Sequence, residues 1–313
     1  MEGKFEAVLH DDYYKDIELC WFSCGLIADK KEAAQIIKKL AISHPMSNYL
    51  HLKRVKQFND ELHVLIKRVE DNEDSMLFIE GITQIYTIQV PLKKPLTRKQ
   101  FIESQKFWNC HFFEDKKLEK YVAGLMFTSE EIERHKCYMK LAQDEATKIM
   151  SPAGGLIVDP EQDIILARGY TNTKWHPLQH AVMKCIDEVA RLQGGGAWNE
   201  PAAVNRTSDD KRRISVDIDG TAVEQESGAP VEKRSKIESY LCTKYDLYTT
   251  HEPCIMCSMA LVHSRIGRVF YIHPDPFAGG IGSRVKIHCR TNINHHFEVF
   301  RMHDFDKKDL YNE

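Results

Sequence analysis

Two short stretches constrain this chain more than anything else in it. Pro253-Cys254-Ile255-Met256-Cys257 sets two thiols three residues apart behind a proline, and His180-Ala181-Val182 lies far upstream. Proline is favoured in the first turn of a helix, where its missing N–H is no loss. Cys254 and Cys257 therefore share one side of a helix start. Pro177 opens a second helix that ends near Gly194-Gly195-Gly196, with His180 in its first turn. A helix N-terminus is electropositive, which lowers a thiol pKa and favours the thiolate. One imidazole and two thiolates are common zinc donors, so His180, Cys254 and Cys257 are the candidate ligands.

Taken singly, these signals have bland readings. A lone C-x-x-C can be two buried core cysteines or a redox pair, and a lone histidine near proline can be a cap or a core residue. The combination of His180 at one helix start with strand-Pro253-Cys254-x-x-Cys257-helix favours zinc. The other cysteines, Cys20, Cys24, Cys110, Cys137, Cys185, Cys242 and Cys289, read as small buried apolar residues. Cys20 and Cys24 exceed C-x-x-C spacing, and no second pair answers them. The irregular spacing of the nine cysteines, with no secretory signal and no long apolar run, gives the expectation of a reduced, soluble, intracellular protein. A formal net charge of -3 argues against wholesale non-specific nucleic-acid binding but leaves room for a local basic face. Length and a 42% hydrophobic content allow two domains.

Residues 1–92 read as a small α+β module. Strands are expected at 17–27, 49–58, 61–69 and 83–90, helices at 29–40 and 72–80, and a tight turn at Asn59-Asp60. The order β-α-β-β-α-β is that of a ferredoxin-like fold. Residues 93–127 form a connector with a helix from Arg98 to Trp108, packed onto a neighbour by Trp108, Phe112 and Phe113. Residues 128–313 follow an α-β-β-α, insertion, β-α-β pattern. Thr128 caps the first helix, with acids in its first turn. Residues 197–236, Gly- and Ser-containing between two charged clusters, bury too little apolar surface to offset ordering entropy and are expected to be disordered or accessory.

His-x-Glu followed by Pro-Cys-x-x-Cys is the signature of zinc deaminases, in which the glutamate moves protons without touching the metal. Here Val182 stands at the glutamate position. On His180-Ala181-Val182-Met183, on the run from His251 to Arg265, on the strand 269–272, and on Pro95-Leu96-Thr97-Arg98 and Phe107-Trp108, the chain resembles the cytidine/tRNA-adenosine deaminase superfamily. Within it, the resemblance is closest to the non-catalytic (subunit 3) branch of the eukaryotic heterodimeric tRNA wobble-adenosine deaminase. The resemblance implies a three-layer α/β/α domain around a mixed five-stranded sheet. It implies a heterodimer with a catalytic subunit 2 that retains the glutamate, adenosine-to-inosine conversion at the wobble position, and tRNA capture helped by the amino-terminal domain. His180, Cys254 and Cys257 carry over as zinc ligands, and no catalytic residue carries over.

Val182 cannot bond a proton, and Asp187 and Glu188 lie more than a turn further along the helix, too far to replace the glutamate at the metal. The zinc is therefore expected to hold two helix starts together. Lys53, Arg54, Lys56, Lys67 and Arg68, with His51, Lys93, Lys94, Arg98 and Lys99 nearby, form a candidate RNA face, because phosphate contacts position an RNA without reading its sequence. The bland alternative is a solvated sheet edge blunted by lysine. The expected location is nucleus and cytoplasm. Two rival readings stand beside this one: an active zinc deaminase with an unconventional acid/base, and a zinc-stabilised RNA-binding adaptor outside any deaminase assembly.

Overall fold

The computed structural model describes residues 4–69, 79–198, 214–216, 222–224 and 241–303. The chain divides into two compact units, residues 11–120 and residues 1–10 with 121–313. This division corrects the expected boundaries at both ends of the amino-terminal module.

In the smaller unit, β2 (Leu19–Ile27), α1 (Ala33–Ser43), β3 (Val55–Phe58), β4 (Glu61–Arg68) and β5 (Ile82–Pro91) build an antiparallel sheet of order β3-β4-β2-β5. That is the ferredoxin-like strand order. The second helix expected at 72–80 falls almost wholly outside the described residues. Asn59 and Asp60 both have positive φ, 47° and 61°, which suits the two-residue turn joining β3 to β4. Along β4 the apolar Leu62, Val64 and Ile66 alternate with Glu61, His63 and Lys67 in sequence, yet His63, Val64, Leu65 and Ile66 are all buried. The cause is that β4 is an inner strand covered on both faces. Val64 and Ile66 pack with Ile36 and Leu40 of α1, while Leu65 packs with Phe22, Trp108 and Cys110.

The connector thus supplies the second layer of this unit. Its helix α2 (Arg98–Phe107) begins with a capping box between Thr97 and Gln100. Trp108 is 1% exposed and its Nε1–H donates to the Lys53 carbonyl at 2.5 Å. Phe112 stacks on Phe101 at 4.8 Å, but Phe113 is 83% exposed and packs nothing together, contrary to expectation. Helix α3 (Lys116–Val122) follows.

The larger unit is three-layered. Its sheet has order β1-β12-β11-β10-β6-β7, with β1 (Lys4–Ala7), β6 (Gly154–Asp159), β7 (Ile164–Tyr170), β10 (Asp246–His251), β11 (Arg268–His273) and β12 (Glu298–His303). β10, β11 and β12 run parallel to one another, and β6, β7 and β1 pair antiparallel to their neighbours. The expected five strands are present, and β1 adds a sixth from the segment that had been placed in the other domain. The alternating pattern of β1, with Phe5 and Ala7 buried, seats it on β12.

Helix α4 (Ser129–Thr147), opened by a Thr128–Glu131 capping box, covers one face. Beneath it Tyr248, Phe270 and Phe300 stack across the sheet at 4.8 and 5.1 Å, with Tyr138 of α4 at 5.1 Å from Tyr248. Such ring pairs contribute about 0.5–1.5 kcal/mol each beyond area burial. Helices α5 (Ala181–Leu192) and α6 (Ile255–Ser264) cover the other face over Ile157, Leu247, Val269 and Val299. Within the expected disordered insertion, 197–236, residues 197 and 198 are described, β8 (Ile214–Val216) and β9 (Ala222–Glu224) pair antiparallel, and the rest of that segment lies outside the described residues. Among the described residues, no helix is long and apolar enough to cross a membrane.

Candidate metal centre

β10 ends at His251, and the chain turns through Glu252 and Pro253 into α6. Ligand sites of α/β sheets form at this carboxyl end of parallel strands. Cys254 is the N-cap of α6, in extended backbone, and Cys257 lies in its first turn. His180 is the N-cap of α5, one residue before the helix and not inside its first turn as expected. Pro177 precedes it in a turn where Gln179 N–H donates to His176 O at 2.9 Å, so the helix opens later than the proline suggested. The Ala181 N–H donates to Thr171 Oγ1 at 3.1 Å. His180 makes no side-chain cap of its own, and its ring turns to the cysteines.

His180 Nδ1 lies 3.6 Å from Cys254 Sγ and 3.5 Å from Cys257 Sγ. All three donor atoms fall within 4.8 Å of one another. A tetrahedral zinc with bonds of about 2.3 Å to sulfur and about 2.0–2.1 Å to nitrogen places those atoms about 3.6 Å apart. The donor set and its spacing therefore fit zinc. The hydrogen bond from Cys257, aided by His180, pulls Cys254 down to about 5 against the opposing effect of burial. The same bond, with burial, pushes Cys257 far up. Zinc binds both sulfurs as thiolates, so its affinity falls as pH falls.

Val182 is 4% exposed, in the apolar cluster that includes Cys257, Leu261 and Val262. The nearest acids on its helix are already committed. Asp187 is 7% exposed, accepts from Arg191 Nε at 2.9 Å and from the Ala197 N–H, and Glu188 lies 3.8 Å from Arg191 Nη1. Neither is a proton carrier at the metal. Of the remaining cysteines, Cys20, Cys24, Cys110, Cys185 and Cys242 are buried, and Cys137 and Cys289 are half-buried. Glu252 was passed over in the sequence except as part of a longer run. No local signal marks it, because its burial and its donors come from residues 275–283, distant in the chain.

The candidate RNA residues do not behave as one surface. Arg54 donates from Nε and Nη2 to the carbonyls of Leu40, His44, Leu65 and Ile66, at 2.7 to 3.3 Å. It ties the end of α1 to β4 and is a packing residue. Lys56 donates to Phe107 O at 3.3 Å and sits 5.8 Å above the Trp108 ring. Arg68 donates to Tyr49 Oη at 2.9 Å. Lys53 is exposed and Lys67 is half-buried.

The family model for the cytidine and deoxycytidylate deaminase zinc-binding region matches residues 132–273, which spans all three candidate ligands and Val182. A zebrafish (Danio rerio) protein named "Probable inactive tRNA-specific adenosine deaminase-like protein 3" is 37% identical over 94% of this chain and 90% of its own length. The human protein of the same name is 34% identical over 94% of this chain and 88% of its own. The Schizosaccharomyces pombe "tRNA-specific adenosine deaminase subunit tad3" is 27% identical over 91% of this chain and 84% of its own. With a zinc-deaminase fold, three converging candidate ligands, valine at the position of the family's glutamate and near-full-length similarity to these relatives, the chain belongs to the inactive tRNA-specific adenosine deaminase-like protein 3 family.

Proposed function

We propose that this chain is the non-catalytic, zinc-holding subunit of a tRNA-specific adenosine deaminase. In this reading a catalytic subunit that retains the glutamate converts wobble adenosine to inosine. The present chain pairs with it as a heterodimer, supports it, and helps bind the tRNA anticodon arm, in nucleus and cytoplasm. The observation that carries the reading is Val182, packed in the core at the proton-carrying position beside the converging donors His180, Cys254 and Cys257.

His180, Cys254 and Cys257 would hold zinc between the starts of α5 and α6, where it would supply a cross-link and, where a water can reach it, a Lewis acid. Val182 neither takes nor returns a proton there. Positioned acid/base groups contribute about 10²–10⁴-fold to such reactions. RNA contact falls to Lys53, Lys67 and Arg68 together with the exposed Lys94 and Lys99, since Arg54 and Lys56 serve the fold.

Co-expression with a glutamate-bearing deaminase subunit tests the assignment, with zinc content and inosine measured for each chain and for the pair. The expected result is zinc in both chains and inosine only when the catalytic subunit is present. Brisk deamination by this chain alone would overturn it.

A further inference from the structure

Burying a carboxylate is costly unless its lone pairs are met. Glu252, two residues before the first cysteine ligand, is 4% exposed and is met four times. Its Oε1 accepts from the N–H groups of Ile281 at 3.2 Å and Ser283 at 2.9 Å. Its Oε2 accepts from the Asp275 N–H at 2.9 Å and from the Ser283 hydroxyl. A carboxylate offers about four acceptor sites, so none remains for a substrate proton. Nor is it part of the converging group of metal donors.

The segment that Glu252 gathers, residues 275–283, runs back across the start of α6. Ile255 N–H donates to Ala278 O at 3.1 Å, Gly280 N–H donates to Pro253 O at 2.8 Å, and Cys254 forms a β-bridge with Gly279. Contact is so close that a Cβ on Gly279 would overlap the Glu252 carboxylate, and one on Gly280 would overlap Ser258 Oγ. The backbone of Cys254 is therefore fixed by a neighbour that Glu252 itself fixes.

We propose that Glu252 is a positioning residue of the metal centre. It clamps residues 275–283 against the first turn of α6 and through them holds Cys254 and Cys257 in ligating geometry. It is not a replacement for the missing acid/base. The inference rests on the zinc-holding reading above.

The test uses the full chain, with its partner where it is purified as a complex. Glu252→Gln turns two of the four acceptor sites into donors facing donors. Release of zinc to a chelating dye should quicken roughly 10–100-fold, the range for losing an outer partner of a metal ligand. Amide exchange over residues 275–285 should quicken with it. Ser283→Ala should shift both readouts the same way by less, and it decides the matter where Glu252→Gln does not fold. Leu156→Ala, buried under α4 on the other face of the sheet, lowers general stability and should leave zinc release unchanged. The clamp is refuted by wild-type release and exchange in Glu252→Gln or, where that variant does not fold, in Ser283→Ala, and equally by matching acceleration in Leu156→Ala. A wild-type chain that holds no zinc sinks the metal reading instead, while exchange over 275–285 still reports on the clamp.

Discussion

Val182→Glu restores the carboxylate that zinc deaminases use, and the structure says what it costs. Val182 is 4% exposed and packs with Cys257, Leu261 and Val262. Forcing a longer side chain into a packed interior costs about 1–3 kcal/mol. Dehydrating a carboxyl that finds no partner there adds about 1–3 kcal/mol on the scale of protein substitutions. The sum, about 2–6 kcal/mol, is large against a domain stability of about 5–15 kcal/mol. With a urea slope of about 2 kcal/mol/M, the unfolding midpoint of the larger unit should fall by about 1–3 M. Amide exchange across α5 and α6 through a urea series separates this unit from the other, and ammonia release by the purified chain is measured in parallel. Wild-type unfolding together with ammonia release in the absence of a partner would show that room for a carboxyl and a reactive water exists beside the metal, and the reasoning would fail.

Other substitutions test neighbouring links. His180→Ala or Cys254→Ala should lose the metal and weaken both the chain and its pairing, measured by zinc content and by gel filtration with the catalytic subunit; a variant that stays folded and paired while only inosine formation falls would contradict a structural role. Arg54→Met leaves four carbonyls without their donor and should cost about 2–4 kcal/mol in a thermal melt, with the salt dependence of tRNA affinity unchanged for the folded fraction. A flatter salt dependence with an unchanged melt would return Arg54 to the RNA face. Burial lowers His135 to about 3 and His288 to about 4, so both stay neutral in the fold, whereas the unfolded chain protonates them near pH 6.5. Below that pH the unfolded state binds more protons, and stability should fall as pH drops from about 6.5 towards 4, by about 1.4 kcal/mol per pH unit for each histidine. Urea midpoints across that range should flatten in a His135→Gln/His288→Gln double variant; equal slopes would assign the acid sensitivity to other groups.

The convergence of His180, Cys254 and Cys257 was legible because metal chemistry demands particular residues at particular spacings: Pro253, Cys254 and Cys257 at one helix start and His180 at the other. Val182 was legible for the same reason, as a position where only a carboxylate could carry protons. The ferredoxin-like strand order followed from Asn59-Asp60 and the apolar runs beside it. What escaped was whatever depends on contacts distant in sequence. β4 shows an alternating pattern to a local reading, but its place inside the sheet buries both faces. A lysine or arginine on a strand reads as a phosphate contact until its carbonyl partners are seen, as with Arg54. Pro177 and the true helix start at Ala181 differ because a turn of the preceding loop intervenes. Glu252 reads as an ordinary charged residue until the four donors from residues 275–283 are brought to it by the fold.

Placement of the strand Lys4–Ala7 against β12 makes the smaller unit an insert in the path of the larger one. The chain begins one sheet, departs to build another, and comes back. A truncation that starts near residue 121 to obtain the deaminase-like portion alone would remove an outer strand and bare the polar backbone of β12 to other chains, inviting aggregation. Excising the insert cleanly calls for residues 1–10 to be spliced through a short linker to the return point. Deletion experiments that ignore this will report misassembly where they mean to report lost RNA affinity.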